Sequence, residues 1–577
     1  MSATSPSDVE PRGRRTPVHE QPRPEPTAAA AGTVAVLLDR RGPALAAAVV
    51  AVAGALRLPW PSAWWLNPDE GIYYAAITRE TFAGFWEEAS ATAHPPLYFL
   101  ILRGVALLTT DLAWLRSVAL VCGLAAVYAF IALGREVGGK GARGQLAGLL
   151  AGMILAISPR AIALSQVMRP YMLLVLLLVS ALLFLLRYRR TRSNGLLVAY
   201  AACVSLALTL HYSAALALGV FGLVVAADGL PTGSRTPGWR RLALVQLVPG
   251  LTLVFMYFWH LRGLLNSVMA DQALDGWLSS YMIRQPADAW LGLIGVHSSL
   301  VGDDLAVSAA LLTVIGMAWA AAERRWTLPI LAGSGVALAM AGALAGLYPM
   351  GASRHTSWLF VFLTPVLAWM LAVSLTPRLT RRPTARAVSV LLLAVLLVGA
   401  GPLSSLLDSD RRPREIAERV LRVAAVEAMG EVLDPQRGPR LVLMSTETYT
   451  LLTPLYARAR QGAASTRDGL LLHFRWGRRD VIVLPGRDFS ALPTELRGRN
   501  HLHGAIQRAV AELPVAGPAA GESVLVLAGG WRSQGMEDLA ALARDLPALG
   551  STMHVPGLIA VVLDYDVYRQ ALGQGAR

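Results

Sequence analysis

Two adjacent carboxylates, Asp69 and Glu70, follow Trp64-Trp65-Leu66-Asn67-Pro68 and precede His94-Pro95-Pro96-Leu97-Tyr98. Paired carboxylates are costly to desolvate, so beside apolar sequence they need a partner or a task. Further along come Gln166, Arg169 and Tyr171, then His211-Tyr212, then Arg354-His355. A carboxylate offers a general base, and arginine and histidine offer a cationic seat for a phosphate. Attack by a hydroxyl on an anomeric carbon needs that base. Departure of a phosphate needs charge stabilisation rather than a proton. A glycoside hydrolase would want two carboxylates on opposite faces of the sugar, which sequence neighbours do not supply.

The elements that must position these residues are membrane spans. The 577 residues are 54% hydrophobic and 16% charged, with mean hydropathy +0.48. Crossing the hydrocarbon takes about 20 apolar residues as a helix. The candidate spans are 34–58, 112–134, 145–163, 170–187, 195–211, 212–228, 242–260, 304–322, 327–347, 357–376 and 387–404. The sequence therefore predicts an all-α polytopic membrane protein of about 11 transmembrane helices. The stretch 95–109 opens with Pro-Pro and carries Arg103 in its middle, so it is read as a helix lying at the interface.

Loop charge supports this order. With the amino terminus inside, every inner loop is positive, from Arg40 and Arg41 through Arg187, Arg189, Arg190 and Arg192 to Arg378, Arg381, Arg382 and Arg386. The long outer loops 59–111 and 261–303 are acid-rich. That is the positive-inside pattern, and it explains a net charge of +14 without nucleic acid. Lys140 is the only lysine, a usage that fits a GC-rich bacterial genome. Cys122 and Cys203 both fall in apolar segments, and no metal-binding Cys pattern exists.

Residues 1–32, rich in Pro, Arg, Ser and Ala, read as a disordered cytoplasmic tail. Residues 33–404 form the transmembrane domain. Residues 405–577 change to a mixed composition with β-like runs at Leu441–Met444, Val481–Leu484, Ser523–Leu527 and Leu558–Leu563. Helical patterns at 446–460, 500–513 and 535–546 lie between them, so this part reads as an extracytoplasmic α/β domain. It holds no GxGxxG and no P-loop.

On this topology Asp69, Glu70, His94, Gln166, Arg169, Tyr171, His211, Tyr212, Arg354 and His355 all fall on the outer side. Random scatter would put half on each side. Each has a plainer use. Asp69 and Glu70 suit a first helical turn beside an N-cap. His94 suits a cap for the 95–109 helix. Tyr212 suits interfacial anchoring, and Arg354 a solvated loop. Arg169 stands at a helix start, the unfavourable end for a cation, which calls for a counter-anion. A phosphate on an isoprenoid chain would sit at this interface with its tail in lipid.

The ordered motifs resemble the integral-membrane GT-C glycosyltransferases, in the branch of protein O-mannosyltransferases and lipid A aminoarabinose transferases. They are Asp69-Glu70, His94-Pro95-Pro96-Leu97-Tyr98, Ser165-Gln166 with Arg169-Pro170-Tyr171, His211-Tyr212 and Arg354-His355, the last in place of a frequent Arg-Tyr. The resemblance covers about residues 35–404 and leaves the carboxy-terminal domain out. It implies an inverting transferase of the cell envelope that moves a sugar from a polyprenyl-phosphate donor to a glycan, lipid or protein acceptor. Asp69 would be the base, with Glu70 assisting at the acceptor or a metal. Arg169 and Arg354 would hold the donor phosphate, with His94, Tyr98, Gln166, Tyr171, His211, Tyr212 and His355 around the substrate. Metal use stays open: magnesium, manganese or calcium would suit hard ligands, with Asp69, Glu70 and His94 the candidates. Loop 261–303, with Trp277, Tyr281, Trp290 and His297, is placed either over the site or in an interfacial aromatic belt.

Three other readings remain at this stage. A flippase for a lipid-linked saccharide would want ionisable residues in mid-span, whereas these span centres are apolar. A glycan ligase or polymerase would use a lipid pyrophosphate donor. A scaffold would use the outer domain alone.

Overall fold

A long apolar stretch satisfies its backbone in a membrane only by coiling into a helix, and such helices then pack through small residues. The computed structural model describes residues 26–58, 64–229, 238–265, 278, 281–375, 421–467, 471–484, 501–530 and 551–574. In chain order the helices of the first part are α1 (Pro26–Arg57), α2 (Pro68–Ile77), α3 (Phe82–Ser90), α4 (Leu97–Ala106), α5 (Leu112–Gly138), α6 (Ala142–Ile157), α7 (Pro159–Ser165), α8 (Tyr171–Thr191), α9 (Asn194–Leu208) and α10 (Ala214–Gly229). Then follow α11 (Trp239–Leu264, with a π-turn at Tyr257–Leu261), α12 (Pro286–Val301), α13 (Asp303–Ala322) and α14 (Thr327–Leu344). A 3₁₀ turn at Arg354–Leu359 leads into α15 (Phe360–Leu375).

Six of these helical stretches are long and apolar enough to cross a membrane, or seven if the bent pair α6–α7 is one span. The chain is a multi-pass membrane protein. The expected count of about eleven is not reached among the described residues, for physical reasons. Helices α9 and α10 have 15 and 16 residues, short of the roughly 20 that a spanning helix needs. Helix α1 carries the charges Arg40, Arg41 and Arg57, and it begins at Pro26, inside the expected tail. The expected span 387–404 lies outside the described residues, as does most of the tail. The stretch 95–109 forms the ten-residue α4, too short to span, as its proline pair and Arg103 suggested.

Glycines set the closest helix pair. Gly144, Gly148 and Gly152 recur every fourth residue on α6 and so share one face against α5. A β-carbon on Gly148 would lie 2.6 Å from the Ile131 carbonyl oxygen and 2.6 Å from Arg135 Cγ. Pro159 breaks this helix, because it lacks an N–H and its ring clashes with the preceding turn. The two halves meet at 64°. The freed carbonyls of Leu155 and Ala156 accept from the buried Arg57 guanidinium at 3.0 and 2.7 Å. The break turns the chain so that 166–171 emerges at the end of the bundle where α2 lies.

The second part folds as expected into an α/β domain. Its strands are β1 (Leu441–Ser445), β2 (Ala464–Ser465), β3 (Leu472–Trp476), β4 (Arg479–Leu484), β5 (Ser523–Gly529), β6 (Thr552–Val555) and β7 (Leu558–Asp564). They form one sheet in the order β2-β3-β4-β1-β5-β7-β6, with β4, β1 and β5 parallel. All four β-like runs are strands. Helices α16 (Thr446–Leu451), α17 (Thr453–Tyr456) and α18 (His501–Glu512) fill the helical patterns at 446–460 and 500–513. The pattern at 535–546 lies outside the described residues. Apolar cores cover both sheet faces, one built on Leu443, Ile482, Ala509 and Val526, the other on Val442, Val481, Tyr456 and Phe474. Between bundle and sheet lies a layer of α2, α3 and α4 with its own core, which includes Leu66, Tyr73, Phe85, Tyr98 and Phe99.

Replacing Gly148 with leucine should push α6 off α5 and destabilise the bundle by about 1–3 kcal/mol, the usual cost of overpacking. A lowered thermal unfolding midpoint in detergent would register it. An unchanged midpoint would contradict the close packing.

Candidate active site

Helix α2 begins with a capping box. The Asn67 side chain accepts from the Glu70 amide at 2.9 Å, and the Glu70 carboxylate accepts from the Asn67 amide at 3.2 Å. Pro68 occupies the first turn, where its missing N–H costs nothing. Successive helical residues point about 100° apart. Asp69 and Glu70 therefore diverge, and each meets arginine in a different place.

Glu70 turns inward and is 1% exposed. Its oxygens accept from Arg116 Nε at 2.9 Å, from Arg116 Nη2 at 2.8 Å and from the Met168 amide at 2.7 Å. Arg116, on α5, also donates to the Trp64 and Trp65 carbonyls at 2.7 and 2.8 Å. The pair is a buried, bidentate strut with its lone pairs committed. The expectation that Glu70 assists at the acceptor or a metal is corrected here: its carboxylate faces protein donors on every side.

Asp69 turns the other way. Its side chain is 21% exposed and lies 2.5 Å from Arg354 Nη1 and 3.7 Å from Arg169 Nη2. Arg169 Nη1 also donates to the Asp69 carbonyl at 3.4 Å. The Arg169 guanidinium lies over the rings of Tyr73 at 5.2 Å and Tyr171 at 5.7 Å. Burial pulls the Arg169 pKa down, but the Asp69 carboxylate and the Tyr171 and Tyr73 phenols outweigh it, so Arg169 stays a cation.

Imidazoles complete the wall. Arg169 Nη2 stands 3.3 Å from His94 Nε2. A guanidinium only donates, so this nitrogen must accept and His94 is neutral with its proton on Nδ1. His211 Nδ1 accepts from the Ser213 amide at 3.1 Å, which leaves its proton on Nε2. Burial, then the Arg169 charge, hold the His94 pKa well below the usual value. Burial, then Arg169 and Arg354, lower that of His211, in the turn outside α9 and α10, to about 3. The rings of His94 and His211 lie 5.3 Å apart, those of His211 and His355 5.7 Å, and Tyr171 is 5.2 Å from His211. Ser353, capping the 3₁₀ turn, accepts from the His355 amide at 3.2 Å and fixes the Arg354-His355 pair.

Seven of the expected site residues thus converge: Asp69, His94, Arg169, Tyr171, His211, Arg354 and His355. The other four do not enter this cluster. Gln166 is buried and donates to the Arg57 carbonyl at 3.0 Å, where it supports the α6–α7 break. Tyr98 packs edge-on behind Tyr73 at 5.7 Å. Tyr212 turns its hydroxyl to His260 Nδ1, while His260 Nε2 bonds the Ser90 carbonyl at 3.0 Å. Glu70 is the strut. Tyr73 is the residue the sequence reading missed, although it stands four places after Asp69 and so on the same helix face. The segment 261–303 is not an open loop, because Pro286–Val301 is helix α12. On it His297 is buried against Thr313 Oγ1 at 2.9 Å. Trp277 lies outside the described residues.

Among the described residues no three His, Cys, Asp or Glu side chains are grouped to hold a metal ion. Of the three candidate ligands, Glu70 is committed to Arg116, and a cation at Asp69 would have to displace two guanidiniums. Among the described residues these three candidates are not placed to share a metal.

No family model and no curated protein matches the chain. Among solved structures it is similar to apo ArnT from Cupriavidus metallidurans, at 16% identity and TM-score 0.49, over 93% of this chain and 99% of that one. It is also similar to the same protein bound to undecaprenyl phosphate, at 15% identity and TM-score 0.47, over 90% and 97%. A third is the archaeal oligosaccharyltransferase AglB from Archaeoglobus fulgidus with an inhibitory peptide and a dolichol-phosphate, at 13% identity and TM-score 0.45, over 92% and 75%.

Two outcomes follow from this geometry. Glu70→Gln should leave Arg116 buried without a counter-charge and cost about 3–5 kcal/mol in thermal unfolding, whereas Asp69→Asn should not. Equal loss in both would refute the division of roles. The second outcome concerns pH. His94 and His211 have folded pKa values below the unfolded value of about 6.5, so below that pH the unfolded chain binds protons that the native chain refuses. Stability should fall as pH drops from about 6.5 toward 3, and His211→Asn should flatten that slope. An unaltered slope in thermal unfolding would contradict a buried neutral imidazole.

Proposed function

We propose that the chain is a glycosyltransferase that moves a sugar from a polyprenyl-phosphate donor to an acceptor hydroxyl, with inversion, on the extracytoplasmic face. The observation that carries this reading is one carboxylate, Asp69, held between two guanidiniums, Arg354 at 2.5 Å and Arg169 at 3.7 Å. The imidazoles of His94 and His211 beside them are neutral, so among the described residues of the cluster the guanidiniums outnumber the carboxylate. A partly desolvated excess charge favours an anion. In this reading that end of the bundle, with the sheet domain packed on it, faces outside, and the acid-rich loop 59–111 supports it.

The donor brings a phosphodiester with one negative charge. Its phosphate takes Arg354 and Arg169, which releases Asp69. The acceptor hydroxyl then gives its proton to Asp69, and its oxygen attacks the anomeric carbon. As the new C–O bond forms, the bond from that carbon to the phosphate oxygen breaks, and the polyprenyl phosphate leaves with a second negative charge. Asp69 loses a charge as the phosphate gains one. Two guanidiniums therefore face two negative charges from donor to product, and the charge moves toward the donors that stabilise it. A lipid pyrophosphate would bring a further negative charge without a matching cation among the described residues of the cluster. Tyr73, Tyr171 and the imidazoles supply apolar and hydrogen-bonding walls for the sugar.

Purified protein incubated with a panel of polyprenyl-phosphate sugars and candidate acceptors should release polyprenyl phosphate with at least one donor. Asp69→Asn should lower kcat by roughly 10²–10⁴, the usual worth of a positioned base. Arg354→Gln should cost roughly 10²–10³, as for loss of a charge-stabilising donor. No release with any donor by folded protein would overturn the transferase reading.

A further inference from the structure

The proposed chemistry uses no residue of the sheet domain, yet residues 421–467 of that domain grip α2 along its whole length. Ahead of the helix, the Trp65 amide donates to the Leu421 carbonyl at 2.8 Å, and Trp65 Nε1 donates to the Leu451 carbonyl at 2.8 Å. Two residues after Asp69, Gly71 lies so close to the Thr450 carbonyl of α16 that a β-carbon there would run into it. At the far end, Arg460 donates to the Ala75 carbonyl, and Gln461 Nε2 donates to the Thr78 carbonyl at 3.3 Å. Those acceptors are among the terminal carbonyls that a helix cannot satisfy itself, at the end where a cation is favoured. Arg460 is 1% exposed and donates to both oxygens of Glu88 of α3 at 3.0 and 2.9 Å, and Arg79 Nε also donates to Glu88 Oε2 at 2.5 Å.

A ten-residue helix is marginal alone. On the bundle side, α2 is tied at its first turn by the Glu70–Arg116 strut. Within its own layer Tyr73 stacks on Phe99 at 4.2 Å and Arg103 donates to the Ile77 carbonyl, and the sheet-domain contacts add the restraint against a roll or tilt about the strut. We propose that residues 421–467 are a positioning element for Asp69. Arg460, acting through Glu88 and the Ala75 carbonyl, and the Thr450 carbonyl, acting on Gly71, fix how Asp69 presents its carboxylate to Arg354 and to the acceptor. This rests on the transferase reading for its chemical consequence, but its structural part stands apart from it. Arg460 is a positioning residue and touches no substrate.

The test compares full-length wild type with Glu88→Gln, Arg460→Gln and Gly71→Ala in detergent. Glu88→Gln keeps the carbonyl contacts of Arg460 and is the mildest of the three. Hydrogen–deuterium exchange over residues 68–78 should rise about tenfold or more in the Arg460 and Gly71 variants and less in the Glu88 variant, while exchange in β1 and β5 stays at the wild-type rate. In turnover, kcat should fall by roughly tenfold to a hundredfold without a rise in the donor KM, as expected for a misplaced base rather than a lost binding contact. Wild-type exchange over α2 in all three variants overturns the proposal, whether or not any donor is turned over. So does a loosened α2 with unchanged kcat. Absence of turnover by wild type would fail the transferase reading instead, and the exchange result would still decide whether the sheet domain holds α2.

Discussion

Helix α2 carries two carboxylates in one turn, and neither can stay there without a cation. Glu70 is buried and meets Arg116, while Asp69 is partly open and meets Arg354 and Arg169. Because neighbours on a helix diverge, the two demands pull in different directions. Meeting both fixes the helix against α5 on one side and brings the segments 166–171 and 353–359 to it on the other. The break at Pro159 serves this arrangement, since it delivers Met168 to the strut and Arg169 to the cluster. The strut is costly to break and silent in chemistry. The cluster is looser, and the proposed chemistry belongs to it.

The electrostatics of the cluster suit a reaction in which charge is moved rather than created. A single carboxylate held by two arginines is a poor base while it is held. On the proposed reading it becomes available when an anion takes the arginines, and the resting ion cluster would guard the base until a phosphate arrives. The neutral imidazoles keep this balance intact, because protonating them would add cations and hold Asp69 more firmly. The sheet domain packs on the same helix, so both halves of the chain contact α2.

Much of this was legible in the sequence, unevenly. The positions of α5, α8, α13, α14 and α15 follow from apolar runs of spanning length, and the four β-like runs are strands, because burial on both faces leaves a continuous apolar signature. The convergence of Asp69, Arg169, His211 and Arg354 followed from loop charge, which sorted polar residues to one end of the bundle. Span count was less legible, since α9 and α10 are apolar but short, and hydropathy does not report where a helix stops. The roles of Glu70 and Gln166 were hidden, because a carboxylate or amide in a motif reads alike whether it faces a pocket or a buried arginine. Arg57 and Arg116, charges at the edges of apolar runs, were the signal that buried acceptors awaited them. Tyr73 could have been found from its four-residue offset from Asp69.

The claim at the centre is that Asp69 and the donor phosphate compete for the same two guanidiniums. Equilibrium binding of polyprenyl phosphate to the full-length protein in detergent, compared between wild type and Asp69→Asn, tests it directly. Removing the competing carboxylate should tighten binding about tenfold or more, a difference of at least about 1.4 kcal/mol, even as turnover is lost. Equal or weaker binding by Asp69→Asn would contradict the account, because the carboxylate would then not be what the phosphate displaces.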